Sequence, residues 1–289
     1  MNDIAILKEA LPYLRKFKGS LFVIKFGGEA MRTREALELL AEDIAFIHGV
    51  GISVVLVHGG GAQVTEMEKK LGVESRFVAG RRVTDEGSLG VLKMVLGGTL
   101  NLDLVGVMKQ FGAKAVGLSG ASGGLLEATK RPPKKVTGSD EVVDFGHVGD
   151  ITSVDVTVIH SLLKDGFLPI ISPLAADAQG NVLNVNADVA AARIASALKA
   201  SKLLLMSDIP GVMEDTKDRT TLIGQLDTAQ AQAAIKQGII SGGMIPKVEE
   251  SLAALKNGVK QVHILSATEP HTLLLEVFTE SGCGTMIVE

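Results

Sequence analysis

The sequence predicts an α/β chain built on a parallel sheet whose two faces are both covered by helices. Two patterns predict it. Apolar, β-branched runs of strand length alternate with amphipathic helical stretches along most of the 289 residues. Several of these runs stop abruptly at glycines, as strand-to-helix turns do. A composition of 46% apolar and 21% charged residues adds the balance of a globular chain. The length suits one large α/β domain or about two smaller units.

In chain order, Ile4, Leu7, Leu11 and Leu14 fall on one helical face of the first eighteen residues, with Pro12 inside the pattern. This predicts a kinked terminal helix ahead of the first strand, packed on its own domain or presented to another copy. LFVIKF (21–26) and ISVVLV (52–57) read as strands, and between them Leu37, Leu40, Ile44 and Ile47 recur at helical spacing. Further strands read at AKAVGLS (113–119), FLPIIS (167–172), KLLLMS (202–207) and KQVHIL (260–265). Helices read at 154–165, 187–199 and 246–256. The stretch Glu127 to Val143, with Pro132 and Pro133, breaks the alternation and reads as a hairpin excursion. A second region begins near Ala200, dividing the chain into a helix at 1–18, a lobe at 19–199 and a lobe at 200–289.

Charge and composition exclude several classes. A net charge of −4 with no basic tail gives no footprint for nucleic acid, and 3% aromatics give no base-stacking platform. One cysteine, Cys283, excludes a disulfide framework and a multi-cysteine zinc site, and fits a reducing, cytoplasmic compartment. Charges at Asp3, Lys8 and Glu9 are unlike a signal peptide, and the longest uncharged stretch, Gly49 to Thr65, is too short and Gly-rich to span a bilayer.

The glycines are more informative. Strand ends at Phe26 and Val57 lead into Gly27-Gly28 and Gly59-Gly60-Gly61, and Gly242-Gly243 precedes a helix at Met244. Bare backbone amides at the carboxyl ends of parallel strands form anion cradles, and ligands bind at that edge of open α/β sheets. Tight turns are the plainer use of each glycine pair. Neither GxxxxGK[ST] nor GxGxxG occurs, so neither a P-loop nor a dinucleotide fingerprint holds a nucleotide here. Lys25 lies inside an apolar strand, where an ammonium is costly unless it meets an anion. Lys247 follows Gly242-Gly243. Arg82 offers a fork for a carboxylate or enters a structural ion pair. Asp188 is either a first-turn acid favoured by the helix dipole or a buried acid orienting ammonium groups.

A competing pattern exists. GASGG (120–124) matches G-x-S-x-G at Ser122, HGGG (58–61) matches an esterase oxyanion element, and His263 or His271 follows in hydrolase order. That nucleophile elbow needs a packing helix after the turn, and LLEATKR meets Pro132-Pro133 too soon to supply one. A hydrolase would also leave Lys25, Arg82, Asp188 and Lys247 without a task.

Taken together, IKFGGEAM (24–31), VLVHGGGAQV (55–64), GRRVTD (80–85), VLNVNADVAA (182–191), LLMSDIPGV (204–212) and SGGMIPKV (241–248) occur in the order of the acetylglutamate kinases, within the amino-acid kinase superfamily. The resemblance runs over nearly the whole chain. It implies an αβα sandwich in which the first lobe binds N-acetyl-L-glutamate and the second binds ATP with nucleotide-borne Mg²⁺. By the family's pattern Lys25 and Lys247 stabilise the transferring phosphoryl group, Asp188 organises both, and Gly28 and Gly60 donate amides to it. Gly60, Gly61, Arg82 and Asn184 would hold the acetylamino acid. Gly27, Ser207, Asp208, Gly211, Gly243 and Met244 would lie along the nucleotide. The terminal helix resembles that of arginine-inhibited members, in which it joins dimers into a hexamer. HTLLLEVFT (271–279) and GCGTMI (282–287) resemble their arginine site, implying roles for Tyr13, Glu276, Gly282 and Gly284.

This sequence departs from the family pattern in places. Glu29 stands where many of these kinases carry Asn, and GASGG stands where many carry GKDG. RPPKKV and DFGHVGDI look closer to the kinase-like domain of bifunctional acetylglutamate synthase/kinases. These departures leave open a related kinase of acetylated or carrier-linked aminoadipate, or an arginine-sensing subunit that partners an acetyltransferase.

Overall fold

A computed structural model describes residues 3–135 and 142–289; the side chains of residues 3–7, 9 and 29 are outside it. The expectations that fall on Ile4, Leu7, the Glu29 charge and positions 136–141 of the excursion therefore lie outside the described residues.

Eight strands form the central sheet: β1 (Leu21–Phe26), β2 (Ser53–His58), β3 (Ala115–Ser119), β4 (Leu168–Ser172), β5 (Lys202–Ser207), β6 (Gln225–Asp227), β7 (Gln261–Ser266) and β8 (Thr285–Val288). Their spatial order is β6-β8-β7-β5-β1-β2-β4-β3. All neighbours are parallel except β7 and β8, so only the β6–β8 edge runs against the rest. The six predicted strands correspond to β1–β5 and β7, with limits shifted by two residues at most. The short edge strands β6 and β8 were missed, because three or four residues carry too little periodicity to register.

Alternation along the strands builds two separate cores. Phe22, Ile24 and Phe26 of β1 point to one face, against α2 (Arg34–Gly49), α4 (Glu86–Met94), α5 (Leu100–Gln110) and α10 (Thr272–Phe278). Val23, Val55, Val57, Leu203 and Leu205 point to the other, against α6 (Thr157–Lys164), α7 (Ala187–Ala197), α8 (Thr228–Lys236) and α9 (Met244–Lys256). The expected three layers are present, and the central strands are buried on both faces. α1 (Asp3–Phe17) continues through Pro12 and packs against α10, with Phe17 buried while Leu11 faces solvent. α4 continues through a π-helical turn at Val95–Thr99 into α5. This apolar helical stretch, Glu86–Gln110, is long enough to cross a membrane; here Leu89, Leu92, Leu96, Leu100 and Leu104 are buried in the sheet's core.

The excursion is more than a hairpin. Leu126–Lys130 pairs with Gly149–Val154, and Leu174–Ala176 and Val182–Asn184 complete a four-stranded sheet beside the central one. Lys134–Lys135 and Val142–Val143 form the hairpin stem itself. Glycine 120 and Ser122–Gly124 turn straight from β3 into the Leu126–Lys130 strand, so GASGG links strand to strand. The strand–turn–helix elbow of a hydrolase is not formed. Ser122 Oγ bonds within its own turn, 3.0 Å from Ser119 N and 3.1 Å from Ser119 Oγ.

Candidate active site

The carboxyl ends of β1 and β5 bring Lys25 and Ser207 to the same sheet edge, and α7 and α9 supply the remaining charges. Asn186 caps α7, its side chain accepting from the amides of Asp188 (2.8 Å) and Val189 (3.1 Å), which fixes the first turn where Asp188 sits. Lys25 Nζ lies 2.7 Å from Asp188 Oδ1, close in distance but outside hydrogen-bond angles. Lys247 Nζ, from the first turn of α9, donates to Oδ2 at 2.7 Å. One carboxylate therefore holds two ammonium groups that would otherwise repel each other.

The electrostatics follow from that arrangement. Burial alone would raise the Asp188 pKa, but the charges of Lys25 and Lys247 outweigh it and hold the group at about 2. Burial, helped by the charge of Lys247, lowers the Lys25 pKa, while Asp188 and Asp208 oppose that shift. Two ammonium groups fixed over one carboxylate at the cavity edge suit a ligand carrying several negative oxygens.

Glycine turns complete the cradle. Gly28 opens a single 3₁₀ turn, Gly28–Met31, directly after β1. Gly60 caps α3 (Gly61–Leu71) with φ of 153°, and a Cβ there would lie 2.5 Å from Leu100 Cδ1 and 2.6 Å from Leu96 Cδ2. Only glycine fits this point, because of both backbone and space. A cavity of about 180 Å³ is lined by Lys25, Gly27, Met206, Ser207, Asp208, Lys247 and Ala267. A second, of about 430 Å³, shares Ser207, Asp208 and Lys247 and extends past Gly211, Val212, Gly243 and Met244. Ser207 Oγ donates to Asp208 Oδ1 at 2.9 Å. Among the described residues no group of three or more His, Cys, Asp or Glu is placed to hold a metal ion.

The remaining expected residues lie on the other side of the glycine turns. Arg82 is held in the ion pair that its sequence context left open: Nη1 meets the fully buried Glu68 of α3, which also receives the Ser75 and Ser88 hydroxyls. Arg82 Nη2 donates to Gly61 O at 3.1 Å and to Thr65 Oγ1 at 2.7 Å, and the guanidinium carbon lies 4.7 Å from the centre of the Phe77 ring. Asn184 Nδ2 donates to Thr84 Oγ1 at 3.2 Å, tying the GRRVTD segment to the small sheet.

The carboxy-terminal candidates form a separate buried cluster. Glu276 Oε1 is 2.6 Å from His263 Nδ1, and Oε2 accepts from Cys283 N (2.8 Å) and Gly284 N (2.9 Å). Gly282 (φ 61°) closes the turn against that carboxylate. His263 Nε2 lies 2.7 Å from Lys202 Nζ, which sits 5.0 Å from the Phe17 ring centre of α1. Burial lowers the His263 pKa and lowers that of Lys202 to about 8. Burial raises the Glu276 pKa, but His263 and the two amides reverse that and leave it lowered. Neutral His263 thus donates from Nδ1 to ionised Glu276 and accepts from Lys202. Tyr13 lies one turn before Phe17, its ring 6.5 Å from that ring. His271 pairs instead with Asp43 of α2, at 2.7 Å.

Sequence reasoning missed Gln63, Glu68 and Lys202. Lys202 carried the same signal as Lys25, a lysine in an apolar strand. Glu68 and Gln63 sit in an ordinary-looking helix and become informative only through what they touch.

The amino acid kinase family matches residues 20–266. The chain is similar to the acetylglutamate kinase of Methanocaldococcus jannaschii, 46% identical over 284 residues that cover 98% of this chain and 95% of that protein. It is also similar to the acetylglutamate kinase of Desulfitobacterium hafniense, 46% identical over 288 residues covering 99% and 97%. Among solved structures it resembles N-acetylglutamate synthase from Neisseria gonorrhoeae complexed with coenzyme A and N-acetyl-glutamate, with a TM-score of 0.86 and 28% identity. All of this chain is covered there, but only 64% of the synthase. Carbamate kinase from Giardia lamblia shares the fold, with a TM-score of 0.69 at 20% identity. With a family match over most of its length and full-length relatives at this identity, the chain belongs to the amino acid kinase family, among the acetylglutamate kinases.

Proposed function

We propose that this protein transfers the γ-phosphoryl group of ATP to the side-chain carboxylate of N-acetyl-L-glutamate, giving the 5-phosphate in cytoplasmic arginine biosynthesis. The observation that carries this reading is the Lys25–Asp188–Lys247 cluster, with each ammonium 2.7 Å from one partly buried carboxylate at the edge of the two cavities. The acceptor carboxylate has an ordinary pKa of about 4.3 and is ionised at neutral pH, so no general base is required. The barrier is repulsion between an anionic nucleophile and a polyphosphate, and fixed positive charge with bare amides lowers it.

In this scheme Lys25 and Lys247 sit against the transferring group, and Asp188 keeps both ammonium groups in place. Gly28 and Gly60 present main-chain amides. The larger cavity takes the nucleotide along Ser207, Asp208, Gly211, Gly243 and Met244, with Gly27 at the phosphate end. Gly60, Gly61, Asn184 and Arg82, the last oriented by Glu68, face the acetylamino acid. Magnesium rides on the nucleotide and offsets phosphate charge. The lobes at 19–199 and 200–289 hold acetylglutamate and nucleotide respectively.

A regulatory reading rests on the carboxy-terminal cluster. N-acetylglutamate synthase from Neisseria gonorrhoeae complexed with coenzyme A and L-arginine resembles this chain with a TM-score of 0.82 and 27% identity, spanning 66% of the synthase. Glu276 is a buried carboxylate suited to a guanidinium, and its partner His263 leads through Lys202 to Phe17 of α1. Arginine bound near Glu276, Tyr13 and the Gly282–Gly284 backbone would shift α1 against the lobes. The exposed apolar side chains Leu11, Met94 and Leu102 support a homo-oligomer, a dimer or a hexamer joined through α1.

The test is an incubation with ATP, Mg²⁺ and N-acetylglutamate with hydroxylamine trapping of the acyl phosphate. Hydroxamate that forms with acetylglutamate supports the assignment. Hydroxamate only with aminoadipate derivatives, or none at all, refutes it.

A further inference from the structure

Gln63, on the first turn of α3, reaches across from the glycine turn after β2 to the one after β1. Its Nε2 donates to Gly28 O at 2.9 Å and approaches Met31 O at 3.4 Å, the two carbonyls that bound the 3₁₀ turn. Two carbonyls facing one end of the amide fix that end as nitrogen. Its Oε1 is buried and has no hydrogen-bond partner among the described residues. That oxygen lies 2.5 Å from where a Cβ on residue 28 would stand and 3.9 Å from the corresponding point on residue 60. The glutamine therefore fills the space that the missing Gly28 side chain leaves open.

Leaving a buried acceptor bare carries a free-energy cost, and a glutamine serving only to fill space could be replaced by an apolar residue without it. What this side chain supplies in return is a cross-link. It fixes the direction of the Gly28 carbonyl, and with it the peptide plane that follows, from a helix whose own start is the Gly60 turn. We propose that Gln63 is a positioning residue for phosphoryl transfer, locking the two glycine turns into one rigid cradle. This rests on the kinase reading above. It also gives Gly28 a second reason to be glycine: the space beside its Cα belongs to Gln63.

The test uses four variants of the full chain: Gln63→Leu, Gln63→Ala, Gly28→Ala and the double Gly28→Ala/Gln63→Ala. In Gln63→Leu, kcat is expected to fall by about 10–100-fold, the usual range for a slightly misplaced catalytic array. KM for acetylglutamate and ATP should change by less than about threefold, because uniform binding is untouched. Gly28→Ala should lower the unfolding midpoint, and removing Gln63 in the double variant should restore the midpoint but not kcat. Wild-type kcat in Gln63→Leu, a rise in KM at constant kcat, or equal loss of midpoint with and without Gln63 would each overturn the proposal. If the wild-type chain makes no acyl phosphate, the kinase reading has failed on its own, and the midpoints still report whether residues 28 and 63 are coupled.

Discussion

Replacing Asp188 by Asn tests the centre of the site, because it keeps the shape and removes the charge shared by two lysines. Its carboxyl is held at about 2 against an ordinary 3.8, even though burial acts to raise it. A shift of roughly two units corresponds to about 2–3 kcal/mol of preference for the ionised form in the folded chain. Because the folded pKa lies below the unfolded one, that stabilisation is complete above pH 3.8 and is lost only as pH falls toward 2. The variant should thus be about 2–3 kcal/mol less stable at neutral pH. Its deficit should also depend on pH, through Lys25. Burial already lowers that pKa, and without Asp188 it falls further, so the folded variant binds fewer protons than the unfolded one. Stability then rises with pH, so the deficit shrinks as pH rises through the variant's lowered Lys25 pKa. Denaturant unfolding as a function of pH reads the stability, and hydroxamate formation reads turnover, which should fall by at least about 10²-fold. Wild-type stability at neutral pH, a deficit that grows toward alkaline pH, or near-normal turnover would refute the reasoning.

Two further outcomes follow from the geometry. Lys247→Ala should lose a factor of roughly 10²–10³ in kcat while remaining folded, since its side chain retains some exposure and sits at a helix start rather than in a core; normal turnover would remove it from the mechanism. Millimolar arginine should weaken acetylglutamate binding in the wild type and have no effect in Glu276→Gln, measured by titration; an unchanged affinity in the wild type would exclude the regulatory reading.

Much of the fold was legible because the signals are local. β1 through β5 announce themselves as apolar runs, and the β-branched residues of β2 fit a strand buried on both faces. The core strand lysine at 25 was equally readable, since an ammonium at that depth needs an anion, and Asp188 answers it at 2.7 Å. The small sheet was not readable. Leu126–Lys130 and Val182–Asn184 lie more than fifty residues apart, and neither has an apolar face that declares itself without the other. Arg82 was ambiguous for a similar reason: its fork fits a ligand carboxylate or Glu68, and a sequence does not say how near Glu68 comes.

By itself the sequence determined the alternation of strand and helix, the glycine-terminated strands, the types of charged residue at the site and the family whose motif order they follow. These depend on the periodicity of neighbours and on the cost of burying a charge, both of which act along the chain. Tertiary structure decided that one carboxylate clamps two lysines separated by more than two hundred residues, that His263 sits between Glu276 and Lys202, and that Gln63 occupies the space beside Gly28. Such contacts depend on angstrom-scale distances between distant segments, and those distances are set only when the helices pack onto the sheet.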